Sequence, residues 1–332
     1  MKLQAYSLID RYNRRLNYLR LSITDRCNLR CIYCMPKGLI PKLPHEEILT
    51  YEEILRLVRI NVSLGISKVR VTGGEPLVRK GVFDFLKELS TIEGISDISI
   101  TTNGVYLKDH VHRIYDAGIR RINISLDTLN PLKYLKITGQ DKFHRVWGGI
   151  QAVKEIGFKP IKLNVVALRA VNDDELIDMA KLSFENPFHI RFIEHMPVGT
   201  PGASAEHSLL TPEIKAQICS LGELVPVKNA INDGPAERYK FKGAQGEIGF
   251  ISALSRHFCH TCNRLRITAS GQLRTCLLSD DQFDLKGPLR KGCTDTELAN
   301  MILKTVCRKP SGHHLFCSES APVSSHMSSI GG

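Results

Sequence analysis

Three closely spaced cysteines follow a short apolar run in Leu19-Arg20-Leu21-Ser22-Ile23-Thr24-Asp25-Arg26-Cys27-Asn28-Leu29-Arg30-Cys31-Ile32-Tyr33-Cys34. The run at residues 19–23 predicts a buried β-strand, and the cysteines come just after its end. Three thiolates within eight residues can close around one metal centre. The spacing alone is compatible with a [4Fe–4S] cluster that has one open iron, with a zinc ion completed by a distant residue such as His45, or with three unrelated thiols.

Strands and helices alternate from this stretch to about residue 193. The predicted strands are residues 19–23, 68–72, 97–101, 121–127, 162–168 and 189–194, and the predicted helices lie near residues 51–64, 80–91, 106–116, 143–156 and 172–184. Asn172 is the expected N-cap of the last helix. Repeated strand–helix units imply a parallel sheet with right-handed crossovers. We therefore predict an α/β fold built on an incomplete (β/α) barrel of about six units.

The character of the chain changes after Met196. A loop of small residues covers residues 197–205, and short alternating runs follow at residues 238–242, 247–252, 264–268 and 271–274. We expect these runs to form small antiparallel strands. The prediction is two domains: a partial barrel over residues 1–230 and a small β-containing extension over residues 231–332. The composition of residues 327–332 predicts a flexible tail.

Polar side chains line one face of four predicted strands, where alternation places residues i and i+2 together. They are Lys68, Arg70, Thr72, Asn123, Ser125, Asp127, Lys162, Asn164 and Arg191. The core of a closed barrel would be filled with branched apolar residues instead. Solvent is the alternative partner for such faces, but four of them opposite apolar faces favour a lumen that holds a ligand, reached from the carboxyl ends of the strands.

A second group of three cysteines, Cys259, Cys262 and Cys276, lies in the predicted extension. A zinc knuckle with His257 or His260 as the fourth ligand is one interpretation. Directly after Cys262, Arg264 and Arg266 share one face of a predicted strand, and paired guanidinium groups suit phosphate. The scattered cysteines are interpreted as small buried side chains with structural roles; these are Cys219, Cys293, Cys307 and Cys317.

The composition indicates a globular protein with an anionic ligand. Of 332 residues, 42% are apolar and 24% charged, which excludes a disordered or collagen-like chain. The formal charge of +11 indicates phosphate, nucleotide or nucleic acid as a ligand, and nucleic acid is the weaker alternative because the sequence lacks a basic run interleaved with aromatic residues. The sequence lacks an export signal and any apolar run near the roughly 20 residues of a membrane helix, so we expect a cytoplasmic protein with reduced thiols and no membrane partner.

These motifs resemble those of the radical S-adenosylmethionine superfamily. That superfamily carries Cys-x3-Cys-x2-Cys after its first barrel strand, with an aromatic residue before the last cysteine, matched here by Tyr33. Its Gly-Gly-Glu-Pro turn after the second strand is matched by residues 73–76. The resemblance implies a [4Fe–4S] cluster on Cys27, Cys31 and Cys34, with S-adenosylmethionine bound to its open iron.

The C-terminal group narrows the resemblance. The pattern Cys-x2-Cys-x13-Cys with Asn-Arg-x-Arg at residues 263–266, and the terminal Gly331-Gly332, is similar to the GTP 3′,8-cyclase family of molybdenum cofactor biosynthesis (the MoaA family). The resemblance covers residues 10–332 and implies a lyase that makes 3′,8-cyclo-7,8-dihydro-GTP. In that reaction a 5′-deoxyadenosyl radical removes the ribose 3′ hydrogen of GTP, and C3′ then bonds to C8. Another radical enzyme with an auxiliary cluster, such as a peptide-modifying one, is the alternative, but such enzymes usually carry a longer cysteine set.

The family resemblance also implies site residues and partners. A second [4Fe–4S] cluster is expected on Cys259, Cys262 and Cys276. The expected contacts to S-adenosylmethionine are Tyr33, Gly74, Glu75, Ser125, Asn164 and Met196. The expected contacts to GTP are Arg20, Lys68, Arg70, Thr101, Lys162, Arg191, Arg264, Leu265 and Arg266. Gly331 and Gly332 are expected to reach the active site as catalytic residues. The implied partners are GTP, an electron donor, cyclic pyranopterin monophosphate synthase as the next enzyme and, in a homodimer, a second copy of the chain.

Overall fold

The computed structural model describes residues 7–35, 42–199, 208–228, 234–313 and 323–331. Its strands are β1 Tyr18–Ser22, β2 Lys68–Thr72, β3 Asp97–Thr102, β4 Arg121–Ser125, β5 Ile161–Ala167, β6 Phe188–Glu194, β7 Leu224–Val227, β8 Glu237–Phe241, β9 Glu247–Ile251, β10 Arg264–Ile267, β11 Gln272–Arg274 and β12 Phe283–Asp284. Its helices are α1 Tyr51–Ser63, α2 Val82–Ser90, α3 Leu107–Asp116, α4 Pro131–Thr138, α5 Phe143–Ile156, α6 Leu176–Glu185, α7 Thr211–Ile218, α8 Lys286–Arg290, α9 Asp295–Val306 and α10 Met327–Ile330.

The first six strands form the partial barrel. Each of β1 to β6 pairs in parallel with the next strand along the chain, and one or two helices connect each pair. Every residue of β1 and β2 is buried, as expected for strands that are covered on both faces. The predicted partial barrel of about six strand–helix units is confirmed.

Helix α1 shows how local sequence sets these units. The Thr50 hydroxyl accepts a hydrogen bond from the backbone N–H of Glu53, and the Glu53 carboxylate accepts one from the N–H of Thr50. This capping box satisfies two donors that the first helical turn leaves without partners. The helix then buries Ile54, Leu57 and Val58, which lie on one face at helical spacing. Cap and apolar face together specify the helix that connects β1 to β2 along the chain.

The C-terminal strands extend the barrel sheet at both ends. Strand β10 pairs in parallel with β1, and β9 pairs in parallel with β6. Strands β8 and β7 then add antiparallel beyond β9, and β11 and β12 beyond β10. The expectation of small antiparallel strands is therefore wrong for the pairing of β9 and β10 with the barrel, because alternation in a sequence specifies a face and leaves the partner strand open. The expected domain boundary falls among residues 229–233, outside the described residues, and stays a prediction.

Asn172 does not cap a helix. Its side-chain oxygen accepts a hydrogen bond from the backbone N–H of Leu168 at 2.8 Å, and its amide group donates to the carbonyls of Asp127 and Val166 at 2.7 and 2.9 Å. A short 3₁₀ turn at residues 173–175 precedes α6. The predicted N-cap is wrong because backbone groups near the carboxyl ends of β4 and β5 need partners, and the Asn172 side chain supplies them.

Three of the four scattered cysteines lie in the described part of the chain. Cys219 and Cys307 are exposed and Cys293 is partly buried, so the expectation of burial is wrong for the first two. Cys317 lies outside the described residues. In the described part of the chain, no helix combines the length and apolar character that crossing a membrane requires.

Candidate active site

A cavity of about 300 Å³ opens at the carboxyl ends of the barrel strands. Its wall combines the cysteine loop, the polar faces of β2 to β6, and the C-terminal extension. Arg70, Thr72, Ser125, Asn164 and Arg191 line it, as the alternation along their strands predicts. The volume lies at the lower end of the range typical of ligand pockets.

The first three cysteines lie in the wall of this cavity. The backbone N–H groups of Cys34 and Met35 both donate to the Cys31 carbonyl at 3.0 Å, which closes a tight turn around the last two thiols. Burial raises the pKa of the Cys34 thiol to about 12 and that of Cys31 well above its usual value. Buried thiols of this kind stay protonated until the positive charge of a metal centre compensates the thiolate.

The turn at residues 73–76 packs against the start of the cysteine loop. Gly74 N–H donates to the carbonyl of Thr24 at 2.7 Å, and Glu75 N–H donates to the carbonyl of Arg26 at 2.8 Å. A Cβ atom on Gly73 would lie 2.8 Å from the Thr24 carbonyl oxygen, so a side chain does not fit there. The glycine allows this close backbone contact, which fixes the direction in which the loop leaves β1.

Glu75 is buried under this turn. Its carboxylate accepts hydrogen bonds from the N–H of Leu77 at 3.0 Å, the hydroxyl of Thr102 at 2.8 Å and the N–H of Asn103 at 2.7 Å. Burial raises its pKa to about 7. Glu75 is not among the residues that line the cavity. Its carboxylate ties the turn to the end of β3, and its expected contact with the ammonium group of S-adenosylmethionine stays a prediction.

Tyr33 is held in the cavity wall by Asp127. The phenol donates to Asp127 Oδ2 at 2.7 Å, and Asp127 Oδ1 accepts the N–H of Val166 at 2.8 Å. Burial raises the pKa of Asp127 to about 6. The aromatic side chain before the last cysteine therefore has a fixed orientation, set from the end of β4. Sequence reasoning placed Asp127 on a polar face without giving it this role.

The second cysteine group lines the same cavity from the extension. Burial alone would raise the pKa of the Cys262 thiol, but the charges of Arg264 and Lys309 outweigh it and lower this pKa to about 6. The Lys309 ammonium group is buried and donates to the carbonyls of Arg264 and Thr275. The cavity therefore favours the thiolate of Cys262, whereas burial raises the pKa of the neighbouring Cys259 thiol, as it does for the thiols of the first group.

Five arginines converge on the cavity: Arg20, Arg70, Arg191, Arg264 and Arg266. The strand register places Arg20 on β1 directly between Arg266 on β10 and Arg70 on β2. Neighbouring strands lie roughly 4.8 Å apart, so these three guanidinium groups start from adjacent positions. Burial lowers the pKa of Arg20 to about 10 and that of Arg191 to about 9, and the charge of Arg70 adds to both effects. Such a concentration of cations suits a polyanionic ligand.

Some polar atoms of the cavity wall lack a protein partner. Among the described residues, Thr101 Oγ1, Asn164 Oδ1 and Arg191 Nε are buried without a hydrogen bond. Buried polar atoms are normally satisfied, so these three indicate a polar ligand. The cavity therefore fits iron–sulfur clusters and a charged ligand in one space. Its two sets of three thiols suit the clusters, and its arginines and these unpaired polar atoms suit the charged ligand.

Of the three histidines that could complete a zinc site, only His257 lines the cavity. His257 lines the cavity, with its ring centroid 5.0 Å from that of His313, whereas His260 is not a lining residue and His45 is exposed. Within the ranges that the structure describes, no group of three or more His, Cys, Asp or Glu side chains is arranged to hold a single metal ion. A four-iron cluster is larger than one ion and binds thiolates at its corners.

Two family profiles cover most of the chain. The Radical SAM superfamily profile matches residues 21–183, and the Molybdenum Cofactor Synthesis C profile matches residues 188–315. The GTP 3′,8-cyclase of Moorella thermoacetica is 48% identical to this chain, over 97% of this chain and 99% of its own length. That of Pelotomaculum thermopropionicum is 46% identical, over 97% and 99%. The chain belongs to the GTP 3′,8-cyclase family.

A solved structure shares the fold. The structure of Streptococcus suis SuiB bound to S-adenosylmethionine aligns with a TM-score of 0.60 over 91% of this chain and 74% of that chain. The sequences are 14% identical, so the likeness concerns the fold alone. It confirms the partial barrel with a β-containing C-terminal extension.

Most residues that the GTP 3′,8-cyclase family resemblance nominates meet at the cavity. They are the six cysteines, then Tyr33, Gly74, Ser125, Asn164 and Met196, and then Arg20, Arg70, Thr101, Arg191, Arg264 and Arg266. Residues from seven strands, β1 to β6 and β10, and from the segments that follow or precede them are thus brought together. Which ligand each of them contacts stays a prediction.

Three nominated substrate contacts lie elsewhere. Lys68 is buried and forms an ion pair with Asp97 at 3.0 Å. Lys162 lines a separate small cavity, which shares Arg191 with the main one. Leu265 is fully buried in the apolar core, on the opposite face of β10 from the arginines. Their contacts with GTP stay predictions.

The C-terminal tail reaches the same site. Met327 lines the cavity, and the carbonyl of Gly331 accepts a hydrogen bond from Arg266 at 2.9 Å. The expected flexibility is therefore wrong for the described part of that tail, residues 327–331, which includes α10 and has Ser328 and Ile330 buried. Gly332 lies outside the described residues.

Sequence reasoning missed the residues that hold this tail. Asp280 accepts hydrogen bonds from the N–H and hydroxyl of Ser324 at 2.7 and 2.9 Å, and from the N–H and hydroxyl of Ser325 at 3.3 and 2.6 Å. The buried Arg274 donates to the Ser325 hydroxyl at 2.8 Å and lies 3.5 Å from Asp280 Oδ1. We call these four residues the tail latch. They are separated by up to 51 positions, and no local motif marks them.

Proposed function

We propose that the cavity between the two cysteine groups is the site at which this chain converts GTP to 3′,8-cyclo-7,8-dihydro-GTP. The protein is a radical SAM lyase of molybdenum cofactor biosynthesis, and GTP is its substrate. The observation that carries the assignment of the site is that six cysteines and five arginines line a single cavity. A radical SAM cluster site and a site for a triphosphate thus share one space.

The first cysteine group would hold the [4Fe–4S] cluster that the radical SAM superfamily implies. Tyr33, Ser125, Asn164 and Met196 line the wall beside it and are proposed to orient S-adenosylmethionine. When bound, the cluster and S-adenosylmethionine would supply a 5′-deoxyadenosyl radical, which would take up the ribose 3′ hydrogen as 5′-deoxyadenosine. The bond between C3′ and C8 would leave one unpaired electron on the guanine ring, so a second electron from the donor and a proton complete the product. The residues of the chain position the two ligands for this step and exclude water.

The second cysteine group would hold a further [4Fe–4S] cluster with an open iron toward the guanine. Arg264 and Arg266, on the strand that begins just after Cys262 and Asn263, are proposed to bind the triphosphate, which carries about four negative charges near neutral pH. Arg266 uses one N–H on the Gly331 carbonyl, and a guanidinium group has five such donors. The tail and a phosphate group can therefore share this arginine.

Several partners follow from this function as proposals. The product would pass to cyclic pyranopterin monophosphate synthase, the next enzyme. A one-electron donor must reduce the first cluster. A cytoplasmic location suits clusters that are sensitive to oxygen, and a homodimer is compatible with the chain.

Anaerobic reconstitution tests the function directly. With iron, sulfide and a reductant, we expect about eight irons per chain, from two four-iron clusters. Addition of S-adenosylmethionine and GTP is expected to give 5′-deoxyadenosine and a cyclised nucleotide, both measured by mass spectrometry. Cys276→Ser should reduce the iron content to that of about one cluster, whereas Cys219→Ser, at an exposed cysteine, should keep it. Four irons in the wild type, or cleavage of S-adenosylmethionine that ignores GTP, would contradict the proposal.

A further inference from the structure

Exposed apolar side chains gather beside the first cysteine loop. Among the described residues, seven large apolar side chains are exposed, and three of them are Ile32 at 51%, Leu132 at 71% and Leu135 at 41%. Leu132 and Leu135 are three residues apart on α4 and therefore share one face of that helix. Ile32 lies in the cysteine loop itself, between Cys31 and Cys34.

The loop and α4 form one continuous surface. The N–H of Arg30 donates to the carbonyl of Thr138 at 2.8 Å, and the N–H of Ile32 donates to the carbonyl of Ile137 at 3.0 Å. A Cβ atom on Gly139, just after α4, would lie 3.3 Å from the Cβ of Arg30. We name this surface the docking face and define it by Arg30, Ile32, Leu132, Leu135 and Lys136.

The docking face lies on the outer side of the first metal site. Cys31 and Cys34 line the cavity, whereas Ile32 between them is exposed. Consecutive Cα atoms are about 3.8 Å apart, so a partner on Ile32 would be one residue away from a cluster ligand. An electron can reach the cluster from this side without crossing the space that the ligands occupy.

Charge indicates what kind of partner covers the face. Arg30 and Lys136 are exposed on it, and Lys142 is exposed nearby. The acidic residues beside it are Asp141 and Asp174, and Asp174 is paired with Lys133 on α4, so the basic residues of the face itself carry its net charge. The chain as a whole carries a formal charge of +11. An apolar centre with a basic rim is complementary to an acidic protein surface. Small interfaces of this kind are typical of transient electron-transfer complexes.

We propose that the docking face binds a small acidic one-electron carrier protein that reduces the cluster on Cys27, Cys31 and Cys34. The proposal rests on the radical SAM function of the cavity. In the complex the carrier loses one electron and the cluster gains one, so no proton or group is transferred. Apolar contact with the two leucines gives the complex affinity, and the basic rim gives it orientation and a fast, salt-dependent association.

The test compares two reductants on the reconstituted holoenzyme. Reduced flavodoxin serves as the acidic carrier, and dithionite serves as a reductant that needs no docking. Cluster reduction is followed by absorbance and electron paramagnetic resonance, without GTP. For Leu132→Glu and Lys136→Glu we expect the rate of reduction by flavodoxin to fall at least tenfold, with the dithionite rate unchanged. Val225→Glu on β7 and Lys242→Glu, at exposed positions far from α4 in the sheet order, are the matched controls and should keep both rates.

Three outcomes decide the proposal. A flavodoxin rate in Leu132→Glu and Lys136→Glu that equals the rate in the controls would overturn it. So would a change from dimer to monomer in Leu132→Glu at an unchanged flavodoxin rate, because the face would then belong to a second copy of the chain. A wild type whose clusters accept electrons but make no cyclised nucleotide would refute the proposed function and leave the docking face standing.

Discussion

Lys309 places a positive charge between two cysteines of the extension. Its ammonium group donates to the carbonyl of Arg264, at the start of β10, and to that of Thr275, next to Cys276. Burial lowers the pKa of Lys309, and the neighbouring Cys262 and Cys276 thiolates oppose that effect. A buried cation beside a cluster stabilises the more negative, reduced state of the cluster.

Lys309→Met is therefore expected to lower the reduction potential of the second cluster, by on the order of tens of millivolts. Redox titration followed by electron paramagnetic resonance measures this potential, with the first cluster as an internal reference that should not shift. Lys309→Arg keeps the charge and should largely restore the potential. If Lys309→Met instead loses half of the iron, the lysine acts as a structural bridge and its charge is not the reason for its position.

Glu194 at the end of β6 stabilises the junction between barrel and extension. Its buried carboxylate accepts hydrogen bonds from the N–H groups of Thr211, Leu254 and Ser255 at 2.8, 2.7 and 2.9 Å, and from the Ser255 hydroxyl. Burial would raise its pKa, but these donors outweigh it and hold the pKa below its usual value. The stabilisation is thus present at neutral pH and is lost as the pH falls through the folded-state pKa.

Glu194→Gln replaces one acceptor oxygen with a donor that faces other donors. We expect the free energy of unfolding to fall by about 1–3 kcal/mol, the range for a buried group that loses its partner. Anaerobic thermal unfolding of the holoenzyme, compared with Glu223→Gln at an exposed position, measures the loss as a lower Tm. Equal Tm values for the two variants would show that the carboxylate contributes nothing beyond its shape.

Among the elements, α10 depends on the tail latch for its position. Burial alone would raise the pKa of Asp280, but the hydrogen bonds from Ser324 and Ser325 outweigh this effect and lower the pKa to about 2. The carboxylate is therefore charged throughout the neutral range, and the latch weakens only as the pH falls from about 4 toward 2. At neutral pH the latch holds the segment that presents Gly331 to Arg266.

Asp280→Ala should release this segment. Hydrogen–deuterium exchange at pH 7 is expected to speed up at least tenfold in residues 323–331, and GTP turnover should fall several-fold with the iron content unchanged. Asp281→Ala, at the exposed neighbouring residue, is the control and should match the wild type. Unchanged exchange in Asp280→Ala would mean that packing of the apolar tail residues alone fixes α10.

Elements with a complete apolar face were predictable from sequence, and elements whose partners are distant were not. The six barrel strands appear within two residues of their expected bounds, since their alternation and flanking helices are local signals. Helix α4 was missed because it is short and its apolar residues do not form one buried face. Leu132 and Leu135 are exposed on one side, whereas Tyr134 and Ile137 are buried on the other. The parallel pairing of β9 and β10 depends on chain closure over long distances, which a short sequence window does not contain.

The features of the candidate site fall into the same two groups, those that local sequence marks and those that depend on distant partners. The cysteines and the pair Arg264 and Arg266 could be located from their short spacing, and Arg70 and Arg191 from the alternation along their strands. Arg20 was indicated only by the family resemblance. The hydrogen bonds of Glu75 and the tail latch could not, because their partners become neighbours only in the folded chain. Sequence therefore indicated what the cavity binds more fully than it indicated what holds the cavity in shape.

At the scale of the whole molecule, the pairing of β10 with β1 brings arginines of like charge together, and an anionic substrate can neutralise them. This pairing sets Arg266 beside Arg20, with Arg70 on the other side, across three adjacent strands. Like charges directly opposite each other destabilise a sheet, and burial removes the water that would screen them. A bound triphosphate would neutralise the cluster of arginines and so stabilise the pairing of β10 with β1 and of β1 with β2.

GTP should accordingly raise the Tm of the holoenzyme, because a ligand at 100 times its Kd stabilises the folded state by about 2.7 kcal/mol. Arg20→Met removes the central charge of the three, so the Tm of the nucleotide-free variant should not fall below that of the wild type, while its GTP-induced rise should drop by at least half. The control is Arg145→Met, which breaks an exposed ion pair with Asp109 outside the cavity and should keep the full rise. A full GTP-induced rise in Arg20→Met would place the triphosphate away from β1, since relief of repulsion along the β10–β1–β2 register requires the anion to lie against these three arginines.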